Sequence, residues 1–585
     1  MSAVVEVREP SARYLNTVQP PLVQHFELMA TAPGGVNKLR ELILTLAVQG
    51  KLVPQDAQDE PASELLKKIR AEKDRLISEG KAKRGKPAAE ISQDEEPFLL
   101  PSGWKWVRLN SILQKIGAGS TPLGGRDVYV PNGVKFLRSQ NVWNDGLRLD
   151  GVAFIKSETH AKMSGTVVLP NDLLFNITGA SIGRCAVVPS DFDEANVSQH
   201  VTIIRTVMAE LNEFLHKVLV SRHVQQTVMD VQVGVSREGL SIAKLGQFLI
   251  PLPPLAEQAR IVTRVEELMS LCDALEAKGQ LEAAQHAQLV QTLLGALTAS
   301  ASPDELADNW QRVASHFDLL LDRPEAIDAL EQTILQLAVR GLLVPQDPND
   351  EPASELLKKI RAEKDRLIAE GKIKRDTSVS PLPDVEAPFA LPAGWEWVRF
   401  GTIAGIERGG SPRPIQSFLT DSDDGLNWIK IGDTEMGGKY ITSVREKIRP
   451  EGLSKTRKVY PGDFLLTNSM SFGRPYITQI EGCIHDGWLR ISPPSSLDKD
   501  YLYLLLSSAF IRKFFEAAAA GGVVQNLNAD KVRGVPIPLP PIVEQARIVA
   551  RVESLRRLCA DLRQRLAARQ TTQAHLAEAL IDEVA

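Results

Sequence analysis

The chain has 585 residues, which is more than one hydrophobic core usually holds, so we expect several domains. Hydrophobic residues (43%) and charged residues (24%) occur at the frequencies of soluble globular proteins. No apolar run reaches the roughly 18 residues that span a bilayer, and the N-terminal residues lack the pattern of a signal peptide. Four cysteines without a C-x-x-C pair predict a cytoplasmic chain and argue against a disulfide framework or a zinc site.

Charge is distributed unevenly along the chain. The formal net charge is −5, yet residues 102–255 carry 15 basic against 12 acidic side chains, and residues 393–542 carry 18 against 16. The rest of the chain is therefore its acidic part. The excess of positive charge in two segments is a weak signal for phosphate binding, because affinity depends on local clusters rather than on totals.

The dominant feature is an internal repeat that spans nearly the whole chain. The 18 residues EPASELLKKIRAEKDRLI occur at 60–77 and again at 351–368, an offset of 291. Gly103-Trp104 returns as Gly394-Trp395 at the same offset, and PLPPLAEQARIV from Pro251 returns as PLPPIVEQARIV from Pro538. The chain therefore contains two copies of one unit of about 290 residues, which is too long for a solenoid repeat.

Each copy is predicted to begin with helices and to continue into a domain of strands. The first helix has apolar residues at three-and-four spacing: Val36, Leu39, Ile43 and Leu46, matched by Ile327, Leu330, Ile334 and Leu337. The 18-residue segment predicts a second helix, with Glu64–Lys68 and Glu355–Lys359 as supporting pairs four residues apart. Polar linkers follow, and short β-rich runs such as Val134–Leu137, Thr166–Leu169 and Val201–Ile204 then predict a mixed domain.

The last part of each copy is predicted to be a long helix that begins after a double proline. Glu257 and Glu544 lie in its first turn, and apolar residues then alternate at the spacing of a helix-pairing seam. The seam residues are Ile261, Val265, Leu268, Cys272 and Leu275 in the first copy, and Ile548, Val552, Leu555, Cys559 and Leu562 in the second. The matched cysteines predict small core packing rather than redox chemistry.

The pattern predicts an α+β fold, with two mixed α/β domains separated by long antiparallel coiled-coil-like helix pairs in a pseudo-two-fold internal repeat. The predicted parts are a flexible N-terminal extension (1–32), an N-terminal helical region (33–96), domain 1 (97–252), a central helical region (253–387), domain 2 (388–539) and a C-terminal helix (540–585). The C-terminal helix is expected to pair with the N-terminal region, because the first helix has its matching half only at the C-terminus.

The helical segments of the two copies are nearly identical, whereas domains 1 and 2 have diverged. Uniform drift after a duplication would not produce this contrast. Two alike helical surfaces suit two copies of one partner, and two unlike domains suit two different targets. The alternative is that long helices simply tolerate little change.

Three features together resemble the specificity subunits of type I restriction-modification enzymes. They are the L-P-x-G-W-x-W-V-R start of each domain (Leu100–Arg108 and Leu391–Arg399), the P-x-P-P-x-x-E-Q start of each long helix, and the helical spacers. The resemblance covers residues 33–585. The N-terminal helical region of this chain resembles the subgroup in which that region pairs with the C-terminal helix. The resemblance implies two target-recognition domains, each reading one half of a split, asymmetric site in double-stranded DNA, with the helices setting the gap.

The resemblance also implies partners that carry out the chemistry. Two modification subunits would bring S-adenosylmethionine and adenine methylation, and two restriction subunits would bring translocation and cleavage that depend on ATP and Mg²⁺. The chain itself is expected to have no catalytic residue, to bind no cofactor or metal, and to contact no membrane. The sequence contains no [ND]-P-P-[YFW] methyltransferase motif and no G-x-x-x-x-G-K-[ST] phosphate loop.

A function of another class stays open from the sequence alone. The chain could be a protein scaffold that no longer reads DNA, in an inactive or antirestriction complex. Full-length, well-patterned loops in both domains argue against that alternative, and the missing motifs argue against a self-contained enzyme.

Candidate DNA contacts are polar residues in equivalent loops of the two domains, because base edges are read by hydrogen bonds while phosphate contacts position the protein. In domain 1 they are Arg138, Gln140, Asn141, Asn176, Ser181, Arg184, Gln199, His200 and Arg237. In domain 2 they are Arg408, Arg413, Lys430, Asp433, Asn468, Ser471, Arg474, His485, Gln525 and Asn526. The alternative in each case is a surface turn, an Arg–acid pair or a structural His. Trp104, Trp106, Trp395 and Trp397 are expected to be core or interface anchors rather than stacking platforms for bases.

Overall fold

The structure, a computed structural model, describes residues 26–84, 90–122, 128–233, 239–300, 302–370, 382, 387–435, 437–468, 473–519 and 527–584. The chain divides into two compact units: unit 1 is Met1–Glu282 with Gln570–Ala585, and unit 2 is Ala283–Arg569. Each unit combines sheets with helices, so the α+β fold class predicted from the repeat is confirmed. None of the helices in the described ranges combines the length and the hydropathy that crossing a bilayer requires.

Unit 1 joins a set of helices to domain 1. Its helices are α1 (Phe26–Thr31), α2 (Gly35–Val48), α3 (Ala62–Ser78), α4 (Ser157–Lys162), α5 (Asn212–Val220), α6 (Arg222–Val233), α7 (Ile242–Leu245) and the first part of α8 (Leu255–Ala299). Its strands are β1 (Lys105–Arg108), β2 (Leu113–Ala118), β3 (Tyr129–Val130), β4 (Val134–Leu137), β5 (Val142–Trp143), β6 (Gly146–Leu147), β7 (Ala153–Ile155), β8 (Val167–Val168), β9 (Leu173–Asn176), β10 (Cys185–Val187), β11 (Ala195–Val197), β12 (Val201–Thr206) and β13 (Leu249–Leu252).

Helix α1 falls within the predicted N-terminal extension. Residues 1–25 of that extension lie outside the described residues. The remainder is not free chain, because Met29 of α1 is fully buried in the core of unit 1.

Domain 1 has two larger sheets besides the pairs β1–β13 and β5–β6, and the side chains of β9 alternate between two cores. One sheet has the order β10-β9-β12-β2, and the other has the order β3-β7-β4-β11-β8 with β4 and β11 parallel. On β9, Leu173 and Phe175 face the core shared with the helices, while Leu174 faces the core that includes Val201 and Ile203. Opposite faces of one strand therefore serve the two cores, which explains why β9 is buried along its whole length.

Unit 2 repeats this plan around domain 2. Its helices are the remainder of α8, α9 (Pro303–Ser315), α10 (Phe317–Leu320), α11 (Pro324–Val339), α12 (Ala353–Ala369), α13 (Phe400–Ile403), α14 (Lys499–Ser507), α15 (Ala509–Ala519), α16 (Ala529–Arg533) and the first part of α17 (Ile542–Val584). Its strands are β14 (Glu396–Arg399), β15 (Gly405–Arg408), β16 (Leu419–Thr420), β17 (Leu426–Ile429), β18 (Tyr440–Ile441), β19 (Glu446–Ile448), β20 (Arg457–Val459), β21 (Phe464–Thr467), β22 (Pro475–Thr478), β23 (Gly482–Ile484), β24 (Trp488–Ser492) and β25 (Pro536–Leu539). The two main sheets have the orders β15-β24-β21-β22-β18 and β16-β19-β17-β23-β20.

The chain enters and leaves each domain at one place. Strand β1 pairs antiparallel with β13 (Lys105 opposite Leu252), and β14 pairs in the same way with β25 (Glu396 opposite Leu539). The double prolines follow β13 and β25 directly and cannot extend these strands, so the long helices α8 and α17 begin there.

The predicted seam residues of α8 and α17 face the cores of the units. In unit 1, Ile261, Val265 and Cys272 are buried together with Leu39 and Ile43 of α2. In unit 2 the equivalent Ile548, Val552 and Cys559 are buried together with Leu330 and Ile334 of α11. Leu268, Leu555 and Leu562 pack against these cores while partly exposed, and Leu275 is half-buried.

The last residues of α17 belong to unit 1. Ala577 and Ile581 are buried in its core, and Glu578 lies 3.4 Å from Lys38 of α2. Asp582 lies 3.2 Å from Arg222 of α6. The C-terminal helix thus contacts the N-terminal helical region directly.

A buried carboxylate joins the start of each domain to the first turn of its long helix. The indole Nε1 of Trp104 donates to Glu257 Oε2 at 2.9 Å, and Trp395 Nε1 donates to Glu544 Oε2 at the same distance. Both glutamates are only 1% exposed, and burial raises the pKa of the Glu544 carboxyl. A carboxylate removed from water in this way needs its donors, so these tryptophans are anchors of the fold.

A glutamine completes the contact from the helical region. Gln55 Nε2 donates to Gly50 O at 2.7 Å and to the second carboxylate oxygen of Glu257 at 3.0 Å. Gln346 makes the same two contacts, to Gly341 O at 2.7 Å and to the equivalent carboxylate at 3.1 Å. Both glycines end a helix with a left-handed φ (72° and 71°), and a Cβ there would overlap a proline ring.

The predicted ion pairs within the repeated segment are wrong. Glu64 pairs with Lys67 at 2.7 Å, and Lys68 pairs with Glu60 at 2.5 Å, because Glu60 lies just before the helix and offers a second carboxylate. Unit 2 repeats this exchange of partners with the pairs Glu355–Lys358 and Glu351–Lys359.

We expect Trp104→Phe to destabilise unit 1 by about 1–3 kcal/mol, because the buried Glu257 loses a donor. Trp106→Phe is the matched control, since it removes the same atoms but only a 3.3 Å hydrogen bond to the backbone oxygen of Phe98. Urea unfolding of the full chain measures both variants. Equal losses for the two would show that packing, and not the carboxylate, accounts for the effect.

Candidate nucleic-acid interface

Three loops of domain 1 that contain predicted site residues lie together in the structure. They follow β4, follow β9, and connect β11 to β12. Asn176 Nδ2 donates to Ser139 O at 2.9 Å and so joins the first two loops. The backbone N–H of Ile177 donates to His200 O at 3.0 Å and joins the second loop to the third. Residues from widely separated parts of the sequence thus form one polar loop cluster, which we call cluster 1.

Two of the predicted DNA contacts in cluster 1 are internal. Asn141 is 1% exposed: its Oδ1 accepts from the backbone N–H of Arg138 at 2.9 Å, and its Nδ2 donates to Arg148 O at 2.8 Å. Asn176 is fully buried, and its Nδ2 donates to backbone Ser139 and to Ser181. These amides hold the loops in shape, so in this conformation neither can reach a base edge.

Other predicted residues of cluster 1 are accessible. Gln140, Gln199 and His200 are exposed, and Arg138, Ser181 and Arg184 are half-buried. His200 Nδ1 lies 2.6 Å from Thr178 Oγ1, which orients the imidazole at the surface. Arg237 lies outside the described residues.

A stack of two arginines on a tryptophan, which the sequence analysis missed, adds positive charge to cluster 1. The guanidinium groups of Arg148 and Arg184 each lie 3.7 Å from the ring centroid of Trp143. At that distance two cations cannot share one face, so they lie on opposite faces of the ring. Trp143 is held by its own indole N–H, which donates to Gln140 O at 2.9 Å. The stack restricts both side chains while leaving Arg148 exposed.

Asp486 is the centre of the corresponding loop cluster in domain 2, which we call cluster 2. Its carboxylate accepts from Ser411 Oγ at 2.8 Å and from Arg413 at 3.3 Å, and its backbone oxygen accepts from Arg408 at 3.2 Å. The hydrogen bond from Ser411 lowers the pKa of the Asp486 carboxyl. Arg408 and Arg413 are both exposed, so the aspartate orients two cations toward solvent.

Lys430, Asp433 and His485 surround the same cluster. Asp433 accepts from the backbone N–H of Lys430 at 2.9 Å, as Asn141 does for Arg138, and Lys430 Nζ lies 2.5 Å from Glu446. Burial lowers the pKa of the His485 imidazole, and Nδ1 of that ring accepts from backbone Gly487 at 2.8 Å. The Asp433 carboxylate, which was predicted as a DNA contact, therefore maintains the turn.

An open groove of about 830 Å³ runs beside these residues, with Arg413, Lys430, Glu446 and His485 among its lining. Arg474 is exposed, whereas Asn468 is 1% exposed and donates to Asp486 O at 2.7 Å. Asn468 thus repeats the internal role of Asn176. Ser471, Gln525 and Asn526 lie outside the described residues.

The fold and the two clusters define a class of protein. It has two copies of one unit, each with a mixed domain fastened to a long helix, and each domain presents a polar, cation-rich loop cluster. The chain also matches the family described as "Type I restriction modification DNA specificity domain" over residues 101–285 and 392–569. It belongs to that family, which confirms the resemblance found in the sequence.

Two relatives that this chain resembles are specificity subunits of type I restriction enzymes. The chain is 37% identical over 570 residues to the type I restriction enzyme EcoEI specificity subunit of Escherichia coli, with 94% of this chain and 93% of the relative covered. It is 36% identical over 576 residues to the EcoAI specificity subunit of the same species, with the same coverage. A chain from a solved type I R-M system is 21% identical with a TM-score of 0.46, covering 83% of this chain and 99% of its own length.

The internal role of Asn141 leads to a prediction about stability. We expect Asn141→Ala to destabilise unit 1 by about 1–3 kcal/mol, because two partly buried backbone groups lose their partner. Gln140→Ala, one residue away and exposed, should change stability by less than about 0.5 kcal/mol. Thermal unfolding of the full chain tests this pair of variants. An unchanged stability for Asn141→Ala would show that this residue does not support the loop, and it would again be a candidate DNA contact.

Proposed function

We propose that this chain is the DNA-reading subunit of a type I restriction-modification complex. The observation that carries the proposal is the presence, in each unit of a chain of this family, of an exposed loop cluster rich in cations. The two clusters differ in chemistry at equivalent positions: Gln140 of cluster 1 corresponds to Gly432 of cluster 2, and Arg138 corresponds to Lys430. Unlike clusters suit the two unlike halves of one split, asymmetric DNA site.

The accessible side chains fall into two groups by their chemistry. The amide of Gln140 and of Gln199 and the imidazole of His200 can donate to and accept from base edges in a groove. The guanidinium groups of Arg148, Arg184, Arg408, Arg413 and Arg474 suit phosphate oxygens, which fix the position of the protein on the duplex. Base discrimination in this proposal therefore comes from few residues, and most of the affinity comes from the arginines.

The proposal includes partners that supply the chemistry. Two modification subunits bind the helices and bring S-adenosylmethionine, and two restriction subunits bring ATP- and Mg²⁺-dependent translocation and cleavage. This chain contributes no catalytic residue and binds none of these cofactors. The names of the relatives, which are specificity subunits of restriction enzymes, support this division of labour.

A domain replacement tests the split readout. The chain is coexpressed with its modification subunit in a host without adenine methylation, and modified adenines are mapped across the genome. The native chain should give a split, asymmetric motif. Replacing residues 109–248, which lie between β1 and β13, by the equivalent residues 400–535 should give a motif with two copies of the second half-site, because the β1–β13 pair is retained.

Two results would contradict the proposal. A continuous motif from the native chain would exclude readout by two domains. A complex that assembles without modifying any DNA would favour the scaffold that no longer reads DNA.

We expect the guanidinium group of Arg148 to contact a phosphate of the DNA backbone. We expect Arg148→Ala, in the assembled complex, to weaken binding to all DNA sequences alike and to reduce the slope of log affinity against log salt by about 1. Gln199→Ala should instead relax one position of the motif and leave the salt slope unchanged. Lys105→Ala, an exposed change on β1 outside cluster 1, is the control for loss of a positive charge. Sequence-selective loss with Arg148→Ala would move this residue to the base readers.

A further inference from the structure

The apolar seam residues of the long helices are the same in the two units, and most apolar residues of the short helices also match, although Val36 corresponds to Ile327 and Leu42 to Thr333. Leu39 of α2 corresponds to Leu330 of α11, and Ile261 of α8 corresponds to Ile548 of α17. The remaining seam positions are equally matched, down to the buried cysteines. The shared seam residues therefore cannot by themselves specify which short helix pairs with which long helix.

The polar residues beside the seam are not interchangeable. In unit 1, Arg40 of α2 donates to Asp273 at 2.7 Å and to Glu276 at 2.8 Å, both on α8. The short helix provides the cation and the long helix provides the two carboxylates. These side chains are partly exposed, and the contacts raise the pKa of Arg40.

In unit 2 the charges are reversed. Glu331 occupies the position of Arg40, and Arg563 of α17 occupies the position of Glu276. Arg563 lies 2.6 Å from Glu331 and 2.6 Å from Asp328, and Arg556 lies 3.1 Å from Glu331. Here the short helix provides the two carboxylates and the long helix provides the two cations.

We propose that these reversed ion pairs are a pairing code that keeps each short helix on the long helix of its own repeat. In the crossed arrangement, within one chain or between two copies of it, Arg40 would face Arg556 and Arg563. Asp328 and Glu331 would face Asp273 and Glu276. The native ion pairs add little stability, because they are partly exposed. The discrimination comes from the like charges that a crossed pairing would bring together.

Three variants of the full chain test the code. Arg40→Glu alone places a third carboxylate beside Asp273 and Glu276. The matched variant Arg40→Glu/Asp273→Ala/Glu276→Arg gives unit 1 the polarity of unit 2, since Ala560 and Arg563 are the residues found there. The exchanged variant adds Asp328→Asn, Glu331→Arg, Arg556→Met, Ala560→Asp and Arg563→Glu, so that both units change polarity together.

Thermal unfolding is the first measurement. We expect Arg40→Glu to lower the unfolding temperature by about 2–4 °C at low salt, with a smaller loss at high salt. The matched variant should recover most of that loss. An unchanged temperature for the single variant, or no recovery in the matched variant, would overturn the proposal.

Mixed refolding is the second measurement and reports pairing itself. Two differently tagged forms of each chain are unfolded in urea, mixed, refolded and purified through one tag. The native and the exchanged chains should recover almost none of the second tag. The matched variant should recover severalfold more, because its two units now have the same polarity and crossed pairing carries no repulsion. Equal recovery from the matched and native chains would show that charge does not specify the pairing.

Discussion

The hydrogen bond from Trp104 to Glu257 determines where domain 1 is held, and its counterpart from Trp395 to Glu544 does the same for domain 2. A carboxylate that is almost without solvent contact is costly unless donors surround it. Its donors come from different segments: Gln55 lies in the helical region, and Trp104 directly precedes the first strand of the domain. All of these segments must therefore assemble together, and the antiparallel closure of β1 on β13 follows from that assembly.

A fixed frame allows the loops to change. Cluster 1 is held by backbone hydrogen bonds and by the buried amides of Asn141 and Asn176, while its exposed side chains take little part in that support. Cluster 2 uses Asp433 and Asn468 in the same places. Because the supporting atoms are separate from the accessible ones, substitution at the accessible positions alters chemistry without altering the domain. This separation is consistent with two domains that have diverged more than the helical segments of the repeat.

Periodicity and duplication were enough to predict the helices, the seam and strands such as β4 and β12, since these depend on local spacing. It was harder to predict which loop residues are exposed and which are internal. An exposed asparagine and an internal one look alike in a sequence, and the buried Asn176 donates to Ser139 O, which lies in a distant segment of the chain. The Asn144-Asp145-Gly146 turn is a hairpin signal that could have located Trp143. Its stack with Arg184 joins residues far apart and leaves no local pattern.

The buried thiols have a consequence for how the folded chain opens. All four cysteines are free and buried: Cys185 and Cys483 lie in the domains, and Cys272 and Cys559 lie on the long helices. Burial raises the pKa of each thiol, to about 11 for Cys483. Alkylating reagents should therefore react slowly with these thiols while the chain is folded. Each domain and each long helix thus has its own native chemical reporter. The alkylation rate at each thiol measures the free energy of local opening there, without any introduced label.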